Sequence, residues 1–282
     1  MRAHQSQIAA SRTTSVRPLL SIVTVCLNAA HSIDDTLASV AGQRGGVAIE
    51  HLCIDGGSRD GTRSIIDAAA GRYGHISRIY EADAGIYDAM NKGLAAARGD
   101  YVLYLNADDV LASADVLCRC MEGIVPGSAG NPDLILGDVI MGHVGQWGPW
   151  RHRRVPRLLL HHTGTGLFPV HQGRIVRRDL LLQVQGFDAG SRLAADVTQY
   201  YDLERLSPLR CRFVQVPIAH MRPGGAANSG LPAMWKGTRE IFAHLREVHG
   251  PLRSAGMTAV KTLQSLSELR IGRCPGERWF AR

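Results

Sequence analysis

With 282 residues, 45% hydrophobic and 20% charged, the chain can bury one sizeable core plus a smaller appendage, which excludes a wholly disordered protein. No run approaches the roughly 20 apolar residues of a membrane-spanning helix, and residues 1–17 lack the apolar block of a secretory signal, so the expected location is the cytoplasm. The net charge of +7 is uneven: residues 1–17 hold three Arg and no acid, and residues 233–282 hold nine Lys/Arg against four Glu, so the tails carry +8 and the body −1. Such tails fit either the anionic inner face of a membrane or plain solvation; without a helix-turn-helix, zinc-finger or aromatic RNA-binding signature, nucleic acid is not an expected partner.

In chain order, residues 19–27 (LLSIVTVCL) form a short apolar run rich in β-branched residues, as in a strand buried on both faces. Ser32, with Asp35 three residues on, is the expected cap of a helix whose Ile33, Leu37 and Val40 recur at helical spacing. The unit repeats: Ile49 to Ile54 as strand, the turn DGGSRDGT with Asp60 as helix cap, and a helix bearing Ile65, Ile66 and Ala69. Ile76 to Glu81 reads as a third strand, Ile86 to Ala97 as a helix stopped by Gly99, Tyr101 to Leu105 as a fourth strand ending in NADD, and Leu134 to Met141 as a fifth. The six cysteines show neither zinc spacing nor a disulfide framework.

Strands alternating with helices predict an α/β protein with a doubly wound, mostly parallel sheet, in which ligands bind beyond the carboxyl ends of the strands. Asn28, Asp55, Asp83 and Asp108 each follow a different predicted strand, so that sheet would bring them to one rim. Turn and cap preferences explain single Asp and Asn residues at such places, but not the adjacent pair Asp108 and Asp109. In YVLYLNADDV, carboxylates beside an amide are the hard oxygen ligands of Mg2+ or Mn2+, and a diphosphate would share the ion. Gly56 and Gly57 behind Asp55 let backbone approach a flat base or ribose. The dinucleotide fingerprint GxGxxG is absent after the first strand, which weakens a hydride-transfer reading.

The segments SIVTVCLN, IEHLCIDGGSRDGT, EADAGIYDAMNKGLAAARGDYVLYLNADD, HQGRIVRRDLLLQVQGFD and LAADVTQYYDL, in that order from about Leu19 to Asp202, resemble glycosyltransferase family 2. These are inverting enzymes of the GT-A fold, particularly bacterial polysaccharide and glycolipid transferases. The resemblance implies a nucleoside-diphosphate sugar as donor, with Thr24 and Asn28 lining the nucleotide pocket, Asp55 on the base, and Asp83 and Lys92 supporting the donor. It implies Asp108 as the first metal ligand, with Asn106 as a weaker oxygen ligand where many relatives have Asp-x-Asp. The acceptor would be a glycan or polyprenyl-linked precursor. The family's catalytic base best matches Asp196, with Asp202 a second acid six residues away, and His171 and Gln172 resemble an acceptor-side HQ element. No Gln-x-x-Arg-Trp run of processive synthases occurs, so one sugar per encounter is expected.

The expected organisation is a basic tail (1–17), a GT-A domain (18–230) with a nucleotide-binding half (18–110) and an acceptor-side half (111–230), and a basic amphipathic helical extension (231–282). Within it, Arg151, Arg153, Arg154, Arg157, His161 and His162 form a stretch facing either a lipid phosphate or solvent, and RPGGAANSG at 222–230 is either a loop closing over donor or a linker. The rival readings are a nucleotidyltransferase, an oxidoreductase, and a catalytically silent sugar-nucleotide-binding partner of a synthase.

Overall fold

The computed structural model describes residues 17–142, 151–153, 168–206, 208–222 and 231–268. The stretch Arg154 to His162 and the glycine-rich run after Arg222 lie outside these residues. The first part of the described chain runs β1 (Leu20–Cys26), α1 (Ile33–Ala41), β2 (Ile49–Asp55), α2 (Thr62–Arg72), β3 (Ile76–Tyr80), α3 (Ile86–Ala96) and β4 (Tyr101–Tyr104). There follow β5 (Val110–Leu111), α4 (Val116–Met121), β6 (Leu134–Met141), β7 (Arg151–Arg153), β8 (Arg174–Arg177), α5 (Arg178–Gln183), α6 (Ala195–Glu204) and β9 (Cys211–Met221). The chain then forms a hairpin of α7 (Leu231–His249) and α8 (Pro251–Glu268).

All strands join one sheet in the order β3-β2-β1-β4-β8-β6-β9-β5, with β7 on β6. The first four are parallel, as right-handed βαβ crossovers require. β8 enters antiparallel to both β4 and β6, and β9 runs parallel to β6. The alternation of strand and helix predicted the parallel half. It carries no signal for the reversal, because apolar periodicity reports burial and not strand direction.

Every residue of β1 is buried, which follows from helices lying on both faces. Leu20, Ile22 and Cys26 face α1, α2 and α4, meeting Ile33, Leu37 and Val40, then Ile66, and Val116. Val23 and Val25 face the opposite side, packing with Met90 and Leu94 of α3 and Val197 and Tyr201 of α6. Each fully buried aliphatic side chain contributes about 1.5 to 3 kcal/mol, and Gly93 lets α3 settle closely, since a Cβ there would come within 2.2 Å of Val23. Ile241, Leu245 and Met257 belong to that cluster, so one face of the α7–α8 hairpin packs on the body.

Ser32 occupies the cap position of α1, but its side chain makes no capping bond and instead donates to the Ala29 carbonyl. Asp35 pairs with Arg222 rather than closing a capping box. Asp60 does hold the start of α2, accepting from Thr62 N at 3.0 Å and from Ala30 N at 3.1 Å.

Candidate functional site

The loops after β1 and β2 are laced together. Asn28 adopts φ 52°, a left-handed conformation that asparagine tolerates. Its N–H donates to Ser58 Oγ at 2.7 Å, and its Oδ1 accepts from Arg59 N at 2.9 Å. Asp55 ends β2 opposite Cys26 of β1. Its Oδ1 accepts from Gly57 N, Ser58 N and Arg63 Nε at 3.2, 3.0 and 2.7 Å, whereas Oδ2 is buried without a partner. Burial opposes ionisation of Asp55, but the bonds from Ser58, Arg63 and Gly57 outweigh it and hold its pKa below the usual carboxylate range. Arg63, on the first turn of α2, lies 5.0 Å over the Tyr80 ring and so closes this corner.

Asp83 comes against the same corner. A Cβ on Gly56 would fall 1.9 Å from Asp83 Oδ2, so only glycine admits this carboxylate. Its Oδ1 accepts from Gly85 N at 3.0 Å. Next to it, Lys92 donates to the Ala82 carbonyl at 2.5 Å and pairs with Glu81 and Asp88 at 3.2 and 3.4 Å. Burial pushes the Lys92 pKa down, and the two acids more than restore it. In this structure Lys92 therefore braces the turn that carries Asp83.

Beyond β4, Leu105 N still bonds Val23 O, which keeps the NADD segment on the rim beside β1. The Asn106 Oδ1 is buried without a hydrogen-bond partner, and among the described residues Asp108 has no ion-pair or hydrogen-bond partner. Asp109 is 2% exposed. Burial, reinforced by the neighbouring Asp108 charge, pushes its pKa up to about 8.

Asp109 Oδ2 accepts from Gln172 Nε2 at 2.9 Å, and the adjacent His171 places Nδ1 3.5 Å from Asp196 Oδ2. His171 and Gln172 lie on a single 3-10 turn just before β8. Because β8 is inserted next to β4, this turn reaches the NADD segment on one side and the first turn of α6 on the other. Of the two aspartates on α6, Asp202 is engaged by His244 of α7 at 3.0 Å and by Arg205 at 3.7 Å, while Asp196 faces His171.

The rim thus gathers Asn28, Asp55, Asp83, Asn106 and Asp108, with His171, Gln172 and Asp196 alongside. Thr24 is placed differently from the expected pocket lining: it is fully buried below the rim, with Oγ1 2.8 Å from His51 Nε2. Lys92 is engaged by the Ala82 carbonyl, Glu81 and Asp88 on its own turn. The sequence reading passed over Arg63, Asp109 as the partner of Gln172, and Arg174. Arg63 was the accessible one, since it stands just behind the cap of a helix that starts at the rim.

Among the described residues no three His, Cys, Asp or Glu side chains converge on one ion position. The unpartnered Asn106 oxygen and Asp108 carboxylate are hard donors, so the residues present fit a divalent cation shared with a ligand's own oxygens.

A sheet of this order with a ligand rim over the parallel strands is that of the GT-A glycosyltransferases. The structure resembles TarS 1-349 of S. aureus in complex with UDP-GlcNAc, with a TM-score of 0.61 at 18% identity over 88% of this chain and 72% of that one. It also resembles a mannosyltransferase of Pyrobaculum calidifontis in complex with GDP-Man and Mn2+, with a TM-score of 0.60 at 17% identity over 94% and 74%. A PGL/p-HBAD biosynthesis glycosyltransferase of Mycobacterium tuberculosis is 40% identical over 215 residues, covering 75% of this chain and 80% of that one. The family model for glycosyl transferase family 2 matches residues 21–184, and the chain belongs to that family. It is a glycosyltransferase, which sets aside the nucleotidyltransferase and oxidoreductase readings.

Proposed function

We propose that the protein transfers one sugar from a nucleoside-diphosphate sugar to an acceptor hydroxyl with inversion, using Asp196 as general base. The observation that carries this reading is the linkage across the rim, in which Asp108 and Asp109, Gln172 and His171, and Asp196 form an unbroken chain of sequence neighbours and side-chain contacts. Asp108 and Asn106 would hold Mg2+ or Mn2+, which when bound offsets negative charge on the departing diphosphate. Two unit charges about 4 Å apart interact by about 4 kcal/mol at an effective dielectric of 20. Asp55 and Asp83, with Asn28 bracing the loops between them, would hold the nucleotide and sugar.

In the transfer step the acceptor oxygen bonds to the anomeric carbon as the bond from that carbon to the diphosphate oxygen breaks on the opposite face. The hydroxyl proton passes to the Asp196 carboxylate. His171, 3.5 Å from that carboxylate, bounds the acceptor side. Loss of a general base typically costs about 10² to 10⁴ in rate. Accordingly, Asp196→Ala should bind donor nearly as well as the parent and lose turnover to that extent. The measurement is nucleoside diphosphate release from UDP-, GDP- and dTDP-sugars with Mn2+. Equal release by variant and parent would reject the role.

The acceptor we favour is a lipid-linked or polysaccharide precursor, as the family resemblance implies. Among the described residues no helix is long and apolar enough to cross a membrane. The α7–α8 hairpin nevertheless exposes Trp235, Leu252 and Leu263 among basic side chains, a composition suited to docking on an anionic surface. Sedimentation with anionic vesicles at low salt tests this, and failure to sediment would end it.

A further inference from the structure

Arg174 opens β8 and is 2% exposed, one of the largest fully buried side chains among the described residues. It stands opposite Leu136 of β6, and the β4–β8 register that pairs Leu103 with Ile175 brings it to the level of Tyr104. It thus lies on the face covered by α3 and α6. Its Nη2 donates to the Asp196 main-chain carbonyl at 3.0 Å, and its guanidinium carbon lies 5.6 Å from the centre of the Tyr200 ring. Among the described residues Nε and Nη1 meet no acceptor, and neither does the Tyr104 hydroxyl.

A buried charge so poorly solvated is costly unless an opposite charge faces it. Burial does push the Arg174 pKa down, and the Asp196 carboxylate is the largest influence opposing that. A leucine or methionine would fill the same space without the penalty, so packing alone gives no reason for arginine here. Its two structural partners, the Asp196 carbonyl and the Tyr200 ring, both belong to α6.

We propose that Arg174 is a positioning residue for transfer: it pins the first turn of α6 through the Asp196 carbonyl and supplies the buried positive charge against which the Asp196 carboxylate stays ionised. The inference deepens the general-base reading and rests on it for its catalytic meaning. Among the described residues, titratable groups facing Asp196 include His171 from the turn before β8 and Tyr87 from α3, with Glu240 of α7 also near Tyr87. Of these, His171 is the other base, and Tyr87 and Glu240 contribute no positive charge, so Arg174 is the fixed cation of this set.

The test uses the full chain with aspartate labelled at the carboxyl carbon, titrated by NMR. Asp196→Asn identifies the Asp196 resonance by its disappearance. In Arg174→Met the Asp196 midpoint should rise by about one unit or more, as expected when a nearby opposite charge is removed. Arg174→Lys should return it toward the parent. Arg174→Gln keeps a donor for the Asp196 carbonyl without the charge and should rise like Arg174→Met, so it decides the matter if the methionine variant does not fold. An unmoved midpoint in either uncharged variant overturns the proposal. The base reading fails separately: Asp196→Asn releasing nucleoside diphosphate as fast as the parent would remove Asp196 from the chemistry whatever the titration gives.

Discussion

Replacing Gly56 by alanine separates donor binding from stability. The new Cβ would lie 1.9 Å from Asp83 Oδ2 and 2.7 Å from its Cγ, so something must move by more than an ångström. Among the described residues the half-buried Asp83 side chain is held by the Gly85 N–H alone, at 3.0 Å, whereas Gly56 follows β2, which is paired on both sides, and its N–H bonds Cys26 O at 3.0 Å. Asp83 is therefore the group that swings away. The fold loses one exposed hydrogen bond, about 1 kcal/mol or less, which lowers Tm by about 2 to 4 °C in a chain of this size. A donor that relies on the Asp83 carboxylate loses a charge-assisted bond of about 1.5 to 3 kcal/mol, or about 10- to 150-fold in Kd. Calorimetric titration with UDP, GDP and dTDP sugars in Mn2+ reads the affinity, and a thermal melt reads the fold. Asp83→Ala should give the same affinity loss, and the double variant no more. Unchanged affinity in Gly56→Ala, with Asp83→Ala also binding normally, would refute the reasoning.

Other consequences follow from the same geometry. Glu50 is buried at the amino end of the sheet, accepting from Ser21 Oγ, Arg98 N and Gly99 N at 2.6, 2.6 and 3.2 Å. Glu50→Ala strands these donors and should cost about 3 kcal/mol in urea unfolding without changing donor affinity; a stable variant would contradict this. Asp109, with its pKa raised from an ordinary 3.8 to about 8, binds its proton more tightly folded than unfolded. Its contribution to stability is therefore complete in acid and is lost as pH rises from about 4 to 8. Asp109→Asn should leave the metal-free protein unchanged below about pH 4 and raise its Tm increasingly from there to about pH 8, since the unpartnered Gln172 Oε1 can accept from the new amide. An equal loss of Tm at both pH values would disprove it.

The convergence of Asn28, Asp55, Asp83 and Asp108 was legible because each follows a strand, and parallel strands deliver their carboxyl ends to a common edge. Helix and strand positions were legible for a related reason: the runs around Val23 and Ile54 are apolar on both faces, and Leu37 and Val40 recur at helical spacing. The other half of the site was not readable from pattern. That His171 meets Asp196 and Gln172 meets Asp109 depends on β8 slipping antiparallel between β4 and β6, a long-range pairing without local signal. Arg174 was hidden for a different reason, since a charged residue in GRIVRR reads as exposed by alternation, and only the packing of α6 reveals it as core. Thr24 and Lys92 were carried over by resemblance; Thr24 bonds His51 inside the sheet, and Lys92 pairs with Glu81 and Asp88 beside the turn that carries Asp83.

The central claim is that Asp108 and Asn106 anchor a cation that holds the donor's diphosphate on the rim. Thermal stabilisation by UDP, GDP and dTDP tests it directly, measured with Mn2+ and with EDTA, in the parent and in Asp108→Ala, since ligand bound to the native state raises Tm in step with its affinity. The account predicts that at least one diphosphate stabilises the parent only with Mn2+, and that most of this gain disappears in Asp108→Ala. Stabilisation that persists in EDTA, or that Asp108→Ala retains in full, would contradict it.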